Sequence, residues 1–347
     1  MILSFVIYHC ALFISVSSAY ISERLKDYKF LFVMLSFSCV VVLCGLRNYV
    51  GTDYESYVSI YETISSFGFA PIEPGFSFLN KSFSTVQNGY QEVFFICSFL
   101  TFFLLYHTLY RERILAAGIF FAFTFSFIFL ANNIIRQALV IPVFFYSVYY
   151  IERHKLVKYI LTVLFCSLFH FSAILLIPFY WIGRISFSKV TWACLMSVCF
   201  LLSYTQIIKA LFVRIVSQIP RYAGYINTGE EDVKAIKSGT TMVLLFVLAL
   251  VVICYKQYLE KKRDKIYFNL FLAGVAISFL TMNISFLFRF SYYLSTLIII
   301  VIPLLLKNMN YTYEKYLLAI FFVGYSMIWW FKALWLNDHG CMPYTFS

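Results

Sequence analysis

A short polar stretch between long apolar runs decides how this chain folds: Arg47–Asn48–Tyr49–Val50–Gly51–Thr52–Asp53–Tyr54–Glu55–Ser56–Tyr57. It gathers a cation, two carboxylates and three tyrosines in a sequence of 347 residues of which only 12% are charged. The flanking runs are apolar enough for membrane helices, because a span needs roughly 20 apolar residues to cross about 30 Å of hydrocarbon. The stretch therefore predicts a loop between two membrane helices, and it is the first place to look for chemistry.

The composition indicates a membrane protein. The chain is 62% hydrophobic with a mean hydropathy of +0.83, whereas a soluble domain is nearer half apolar and about a quarter charged. The net charge is +11, but the basic residues stand singly between apolar runs, as in short membrane loops. No basic stretch is long enough to follow a phosphate backbone, so we expect no nucleic-acid partner. Eight of the nine cysteines fall inside apolar runs without metal-ligand spacing, and Cys341 stands alone. The sequence also has no GxGxxG, P-loop, CxxC pair or HExxH motif, so we expect no metal and no cofactor.

The apolar runs predict an all-α integral membrane protein with about 12 transmembrane helices. Residues 1–347 form one polytopic membrane domain in this interpretation, without an internal repeat. We interpret Met1–Tyr20 as a true span, because it lacks a basic n-region and a small-residue cleavage site. The runs lie near 1–20, 30–46, 93–109, 115–130, 137–150, 159–169, 171–183, 191–205, 240–256, 267–283, 292–306 and 316–331.

The region 159–183 decides the topology, because it reads either as one long helix or as two short ones that meet at Phe169–His170–Phe171–Ser172. With two segments, 17 basic and 7 acidic residues fall on one side of the membrane, against 10 and 9 on the other. With one segment, basic loops fall on both sides. The positive-inside rule favours two segments, which predicts a protein of the bacterial cytoplasmic membrane with both termini on the outside face.

The longest outside segments are a first loop, 47–92, and a second loop, 206–239. In the first, Gly75–Phe83 has apolar residues at near-helical spacing, with Lys81 on the polar side, and Ile207–Val216 in the second is similar. Both are predicted to be short interfacial helices that lie flat on the bilayer. The inside loops are short and look like solvated connectors.

Four arginines on the predicted outside face are candidates for binding phosphate: Arg47, Arg136, Arg221 and Arg289. An unpaired charge near hydrocarbon is costly, so each needs an anionic partner. The guanidinium fork suits the oxygens of a pyrophosphate. The alternatives are that Arg136 and Arg289 snorkel to lipid headgroups, that Arg221 pairs with the acids at 230–232, and that Arg47 pairs with Asp53.

Candidates for proton transfer are Asp53, Glu55, Glu73 and His170. Asp53 has the alternative of capping a helix over Tyr54–Ile64. Glu73 stands between two prolines that stiffen the loop and so aim its carboxylate. His170 lies at the break between the two short segments. A carboxylate or imidazole placed here can accept the proton of a sugar hydroxyl.

These residues also carry a family resemblance. The first-loop pattern and five further motifs follow the order seen in the EpsG/Wzy-type polysaccharide polymerases, which this chain resembles from about residue 40 to its end. The second loop departs most from the family's pattern. The motifs are Arg47–x–x–Val50–Gly51–Thr52–Asp53–Tyr54–x–x–Tyr57, Glu73–Pro74–Gly75–Phe76, Ile135–Arg136–Gln137, Phe169–His170–Phe171–Ser172–Ala173, Arg289 with Tyr292, and Pro343–Tyr344.

The resemblance implies a fold similar to the GT-C glycosyltransferases. It implies an enzyme that joins undecaprenyl-pyrophosphate-linked oligosaccharide repeat units at the periplasmic or outer membrane face, as in O-antigen or capsule synthesis. Asp53 then stands at the catalytic aspartate of the first loop, and aromatic residues such as Tyr54 contact sugar rings. Membrane lipid and a chain-length regulator protein are the further partners that we expect.

Two other classes remain open from the residues alone. A transporter that flips lipid-linked repeat units also has about 12 spans, but transporters usually carry polar groups near the midplane of related halves. A membrane ligase or acyltransferase would use His170. The products of the three classes differ, so the surface glycan of a deletion strain separates them.

Overall fold

The structure, a computed structural model, describes residues 2–205, 207–216, 239–310, 312–337 and 339–346. In these ranges the chain is all-helical, apart from one isolated antiparallel bridge between Arg47 and Phe346. The α-helices up to residue 203 are α1 Ile2–Arg24, α2 Lys29–Gly45, α3 Tyr54–Phe67, α4 Pro74–Ser82, α5 Tyr90–Arg111, α6 Leu115–Thr124, α7 Phe127–Asn133, α8 Ile135–Glu152, α9 Leu156–Ser167, α10 Phe179–Ile182 and α11 Lys189–Ser203. The remaining ones are α12 Ile207–Val216, α13 Gly239–Cys254, α14 Lys262–Thr281, α15 Ser285–Ser295, α16 Ile298–Asn308 and α17 Tyr313–Leu336.

Five helical segments of the described chain are long and apolar enough to cross a membrane, or six if the bent pair α6–α7 is one span. They are Ile2–Arg24, Tyr90–Arg111, Lys262–Thr281, Leu287–Asn308 and Tyr313–Leu336. The all-helical character agrees with the prediction, and the spans support a multi-pass membrane protein. Four other apolar helices are shorter, so the number of about 12 spans and the GT-C-like fold stay predictions.

The chain divides into two compact units, and the prediction of a single polytopic domain stays untested. The first unit comprises Met1–Ile177 and Ile302–Ser347. In it α1 packs against α2 and α6, and α5 packs against α2 and α8. The second unit is Pro178–Val301, in which α14 packs against α11 and α15.

The run 115–130 is a broken helix, which the sequence analysis did not anticipate. The axes of α6 and α7 differ by 62°, and Ser126 between them has φ +62°. A left-handed residue ends the regular ladder of hydrogen bonds. The flanking residues Thr124 and Phe127 are buried, and α7 ends with Asn132 and Asn133 next to the first loop.

The region 159–183 breaks where the sequence predicts. The helix α9 ends at Ser167, and a 3-10 helix over Phe171–Leu176 follows. A single long helix is therefore excluded. The second half is less regular than a membrane helix, because the 3-10 turn and the four residues of α10 replace a continuous α-helix.

The two predicted amphipathic segments are helical. Gly75–Phe83 corresponds to α4, Pro74–Ser82, and Ile207–Val216 is α12. Their position flat on a bilayer stays a prediction. The rest of the second loop, residues 217–238, lies outside the described residues.

The first loop is folded rather than extended. Its helices α3 and α4 pack on α5 through a buried cluster that includes Tyr54, Tyr57, Phe76 and Phe94. The C-terminal segment after α17 is tied to the start of the loop: Asn48 N donates to Thr345 O at 2.9 Å, and Gly51 N donates to Gly340 O at 2.9 Å. The loop is thus held from both sides.

Candidate functional site

Glu73 lies at the centre of a polar cluster in the first unit. We define the Glu73 cluster as Glu73, Arg136 and His170. One carboxylate oxygen, Oε2, accepts a hydrogen bond from Arg136 Nη1. The other, Oε1, lies 3.2 Å from His170 Nδ1 and accepts the backbone N–H of Phe171 at 3.1 Å. One carboxylate therefore holds a guanidinium and an imidazole at fixed positions.

Local sequence explains why the Glu73 carboxylate points away from its own helix. Glu73 is the N-cap residue of α4, with φ −61° and ψ 140°, and it makes no capping hydrogen bond. Pro74 enforces this extended conformation on the residue before it and is well tolerated at the first helical position. The carboxylate is therefore free to bridge to Arg136 and His170.

Gly75 allows α4 to approach the end of α9. Its N–H donates to Leu168 O at 2.8 Å. A Cβ at this position would lie 2.8 Å from the same carbonyl oxygen, which no real side chain tolerates. The glycine thus brings Glu73 next to His170, two residues after Leu168, and this explains the local Glu–Pro–Gly pattern.

Arg136 sits in the first turn of α8, partly exposed. Its guanidinium carbon lies 5.9 Å from the ring centroids of both Tyr57 and Phe76, within the range of cation–π attraction. Its Nε atom is buried and makes no hydrogen bond to the described residues. The guanidinium is therefore held by one carboxylate and two rings, with donor capacity left over.

Asp53 belongs to the same neighbourhood. It is the N-cap residue of α3 without a side-chain capping bond, it is partly exposed, and it forms no ion pair with the described residues. The pKa of the Tyr57 phenol is raised, chiefly by burial. The positive charge of Arg136 acts to lower it, and the negative charge of Asp53 acts to raise it. Tyr57 lies one helical turn after Asp53, since its N–H donates to Asp53 O at 3.2 Å, and its ring centroid lies 5.9 Å from the Arg136 guanidinium carbon.

The surroundings of Glu73 keep it ionised. Burial alone would raise the pKa of its carboxyl, but the His170 contact, the Arg136 charge and the Phe171 N–H outweigh it and lower the pKa from 4.5 to about 2. The resulting stabilisation is present above pH 4.5 and is lost as the pH falls towards 2. A carboxylate this acidic is a weak proton acceptor near neutral pH, so Glu73 suits positioning better than proton transfer.

We expect Glu73→Gln to lower the activity of the protein about 10- to 100-fold, because Arg136 and His170 lose the group that orients them. The pH dependence should keep the acidic midpoint of the unmodified protein, since Glu73 stays ionised throughout. Initial rates between pH 5 and 9 check this, with Glu62→Gln, an exposed carboxylate of α3, as the matched control. If the acidic midpoint of the pH–rate profile is lost in Glu73→Gln, Glu73 itself accepts the proton.

The structure gives Arg47 a different setting from the two considered for it. The side chain is 0% exposed and donates to Val50 O and Asn132 O, each at 3.2 Å, and to Cys44 O. It makes no pair with Asp53. Tyr54 is likewise 2% exposed, and its hydroxyl donates to Asn48 Oδ1 at 3.2 Å. Both side chains hold the loop together, so we leave them out of the proposed substrate site.

We expect Arg47→Met to destabilise the fold by about 3 kcal/mol or more, because it leaves several buried carbonyls without a donor at roughly 1–3 kcal/mol each. The measurement is the melting temperature of the detergent-purified protein, beside the exposed Arg113→Met. If Arg47→Met keeps the melting temperature of the unmodified protein but loses activity, Arg47 would again be a candidate for binding substrate.

Asn133 is a residue of this site that sequence reasoning missed. Its Oδ1 accepts from Thr52 N at 2.5 Å and Thr52 Oγ1 at 2.7 Å, and its Nδ2 donates to Phe129 O at 2.9 Å and His339 O at 3.0 Å. It joins the residue before Asp53 to α7 and to the C-terminal segment. The two adjacent asparagines, Asn132 and Asn133, interrupt an apolar run, and this interruption was the signal in the sequence that could have indicated a buried polar contact.

Two further arginines were predicted to bind phosphate. Arg289 is an exposed residue of α15 in the second unit, and Arg221 lies outside the described residues. Their roles in binding stay predictions. Among the described residues, no three His, Cys, Asp or Glu side chains are grouped as metal ligands would be, and metal independence stays a proposal.

The apolar helices support a multi-pass membrane protein, and the Glu73 cluster is its candidate polar site. The chain belongs to the EpsG family, whose sequence model matches residues 29–346. Because this is a family of Wzy-type polymerases, membership supports a polysaccharide-polymerase role and transferase activity in general. No curated protein and no solved structure matches the chain.

Proposed function

We propose that this protein polymerises oligosaccharide repeat units carried on undecaprenyl pyrophosphate, by metal-independent glycosyl transfer at the outer face of the cytoplasmic membrane. Family membership supports the reaction class. The observation that carries the proposal is the Arg136 guanidinium, which Glu73 orients and which lies beside the ring of Tyr57, one helical turn after Asp53. A fixed cation can stabilise a departing diphosphate, and a carboxylate can accept the proton of the attacking hydroxyl.

In the proposed reaction a hydroxyl of one lipid-linked unit attacks the anomeric carbon of the growing chain. The bond from that carbon to the diphosphate oxygen breaks, and the electron pair leaves with the lipid diphosphate. Arg136 stabilises the charge that develops there, which favours the transition state over the ground state. Asp53 accepts the proton of the attacking hydroxyl.

Glu73 and His170 have supporting roles in this proposal. Glu73 holds the guanidinium and the imidazole in place. His170 is the second candidate for the proton acceptor, after Asp53. Arg289 and Arg221 stay predicted phosphate ligands. Membrane lipid and a chain-length regulator are the expected partners.

The test is polymerisation in vitro by the purified full-length protein in detergent or lipid, with a purified lipid-linked repeat unit and with and without a chelator. Ladders of extended glycan in both conditions support the proposal. Ladders that need added metal would refute metal independence. A protein that moves the repeat unit across a vesicle membrane without extending it would be a flippase.

A further inference from the structure

The loops of the second unit hold a polar pocket of about 370 Å³. It is formed by the segments 185–189 and 256–260 together with the first turns of α14. Its polar lining is Ser186, Lys189, Lys256, Gln257, Lys265 and Asn269, with Glu260 also present. These inside loops were predicted to be solvated connectors. The proposed polymerase activity gives the pocket no role.

Two of the three lysines are fixed by neutral groups. Lys189 Nζ donates to Cys254 O at 2.6 Å and also to Gln257 Oε1. Lys256 Nζ donates to Phe187 O. These carbonyl and amide oxygens hold the ammonium groups in the pocket lining without cancelling their charge.

The pocket has an excess of positive charge. None of its three lysines forms an ion pair with the described residues, and neither does Glu260. Burial lowers the pKa of Lys256, and the neighbouring charges of Lys265 and Lys189 lower it further. The three ammonium groups therefore repel one another, and an anion bound between them relieves this repulsion.

Hydrogen bonds within the protein fix one wall of the pocket. Asn269 is 3% exposed, and its Nδ2 donates to Gly183 O at 2.9 Å and Ile185 O at 2.7 Å. These bonds hold the 183–189 segment against α14. Because this backbone and two of the three lysines are already held in place, little conformational entropy is lost when a ligand binds.

We propose that this pocket binds a phosphate group, held by Lys189, Lys256 and Lys265. Lysine binds phosphate as a point charge, and a basic pocket between membrane helices on the predicted inside face suits the headgroup of an anionic lipid. A soluble phosphate compound offers the same chemistry. The shared ligand is the phosphate group, and the experiment separates its two sources.

Lys265→Gln is the first variant, because the Lys265 side chain is exposed and makes no hydrogen bond to the described residues. The purified full-length protein in detergent is titrated by calorimetry with inorganic phosphate in one arm and with short-chain phosphatidylglycerol in the other. Loss of one charge-assisted contact should weaken binding about 10-fold. Lys256→Gln is the second variant, and the exposed Lys158→Gln is the control of matched charge.

Weaker binding of inorganic phosphate in both pocket variants, but not in the control, supports a soluble phosphate ligand. The same pattern with phosphatidylglycerol alone supports a lipid headgroup. No binding in either arm, or equal binding by pocket variants and control, overturns the proposal. Titration of Arg136→Ala separates the two sites, since the lysine-dependent binding must persist there whether or not polymerisation does.

Discussion

Arg136→Ala is expected to abolish chain extension while the protein still inserts and folds. The guanidinium is the group proposed to face the departing diphosphate, and removal of one such electrostatic contact costs about 10²- to 10³-fold in rate. The rate of repeat-unit consumption in vitro measures this directly. Arg113→Ala, an exposed arginine at the turn after α5, is the control for loss of a positive charge.

Arg136→Lys sharpens the result. A lysine keeps the charge, but it cannot keep both the Glu73 contact and a forked pair of donors towards phosphate. We expect most of the activity to be lost, with a melting temperature close to that of the unmodified protein. An Arg136→Lys variant with full activity would show that only charge is needed. An Arg136→Ala variant with the normal chain-length distribution would remove Arg136 from the mechanism.

The sequence predicted the parts of the fold that local chemistry determines. The α4 helix was predicted from apolar residues at near-helical spacing in Gly75–Phe83, and the break near His170 from a polar interruption in an apolar run. The α3 helix was one of the two alternatives for Asp53, as the helix that it would cap. These signals lie within a few residues of the feature they cause, so a single sequence reveals them.

The contacts between distant segments were not predictable in the same way. Whether Arg47 faces substrate or protein depends on where Asn132 O lies, 85 residues later, and that position depends on the left-handed Ser126. The pairing of Glu73 with Arg136 spans 63 residues. Composition marked both arginines as needing a partner, but only the packing of α7 and α8 against the first loop decides which partner each one has.

Asp53→Asn is expected to lower the rate about 10²- to 10⁴-fold, the usual contribution of a general base. The amide keeps the size of the carboxylate but cannot accept the proton of the attacking hydroxyl. Asp53 makes no capping bond and no ion pair with the described residues, so the fold should be unaffected. The measurements are the rate at saturating repeat unit and the melting temperature.

The relative rates of three variants distinguish Asp53 from the other candidates. If Asp53 accepts the proton, Asp53→Asn should lose far more activity than His170→Gln or Glu73→Gln. Glu73→Gln should also leave the shape of the pH–rate profile unchanged, because the Glu73 carboxylate stays ionised down to about pH 2. If His170→Gln loses more activity than Asp53→Asn, the imidazole accepts the proton. The Glu73 carboxylate would then orient the base as well as the cation, since Oε1 lies 3.2 Å from His170 Nδ1.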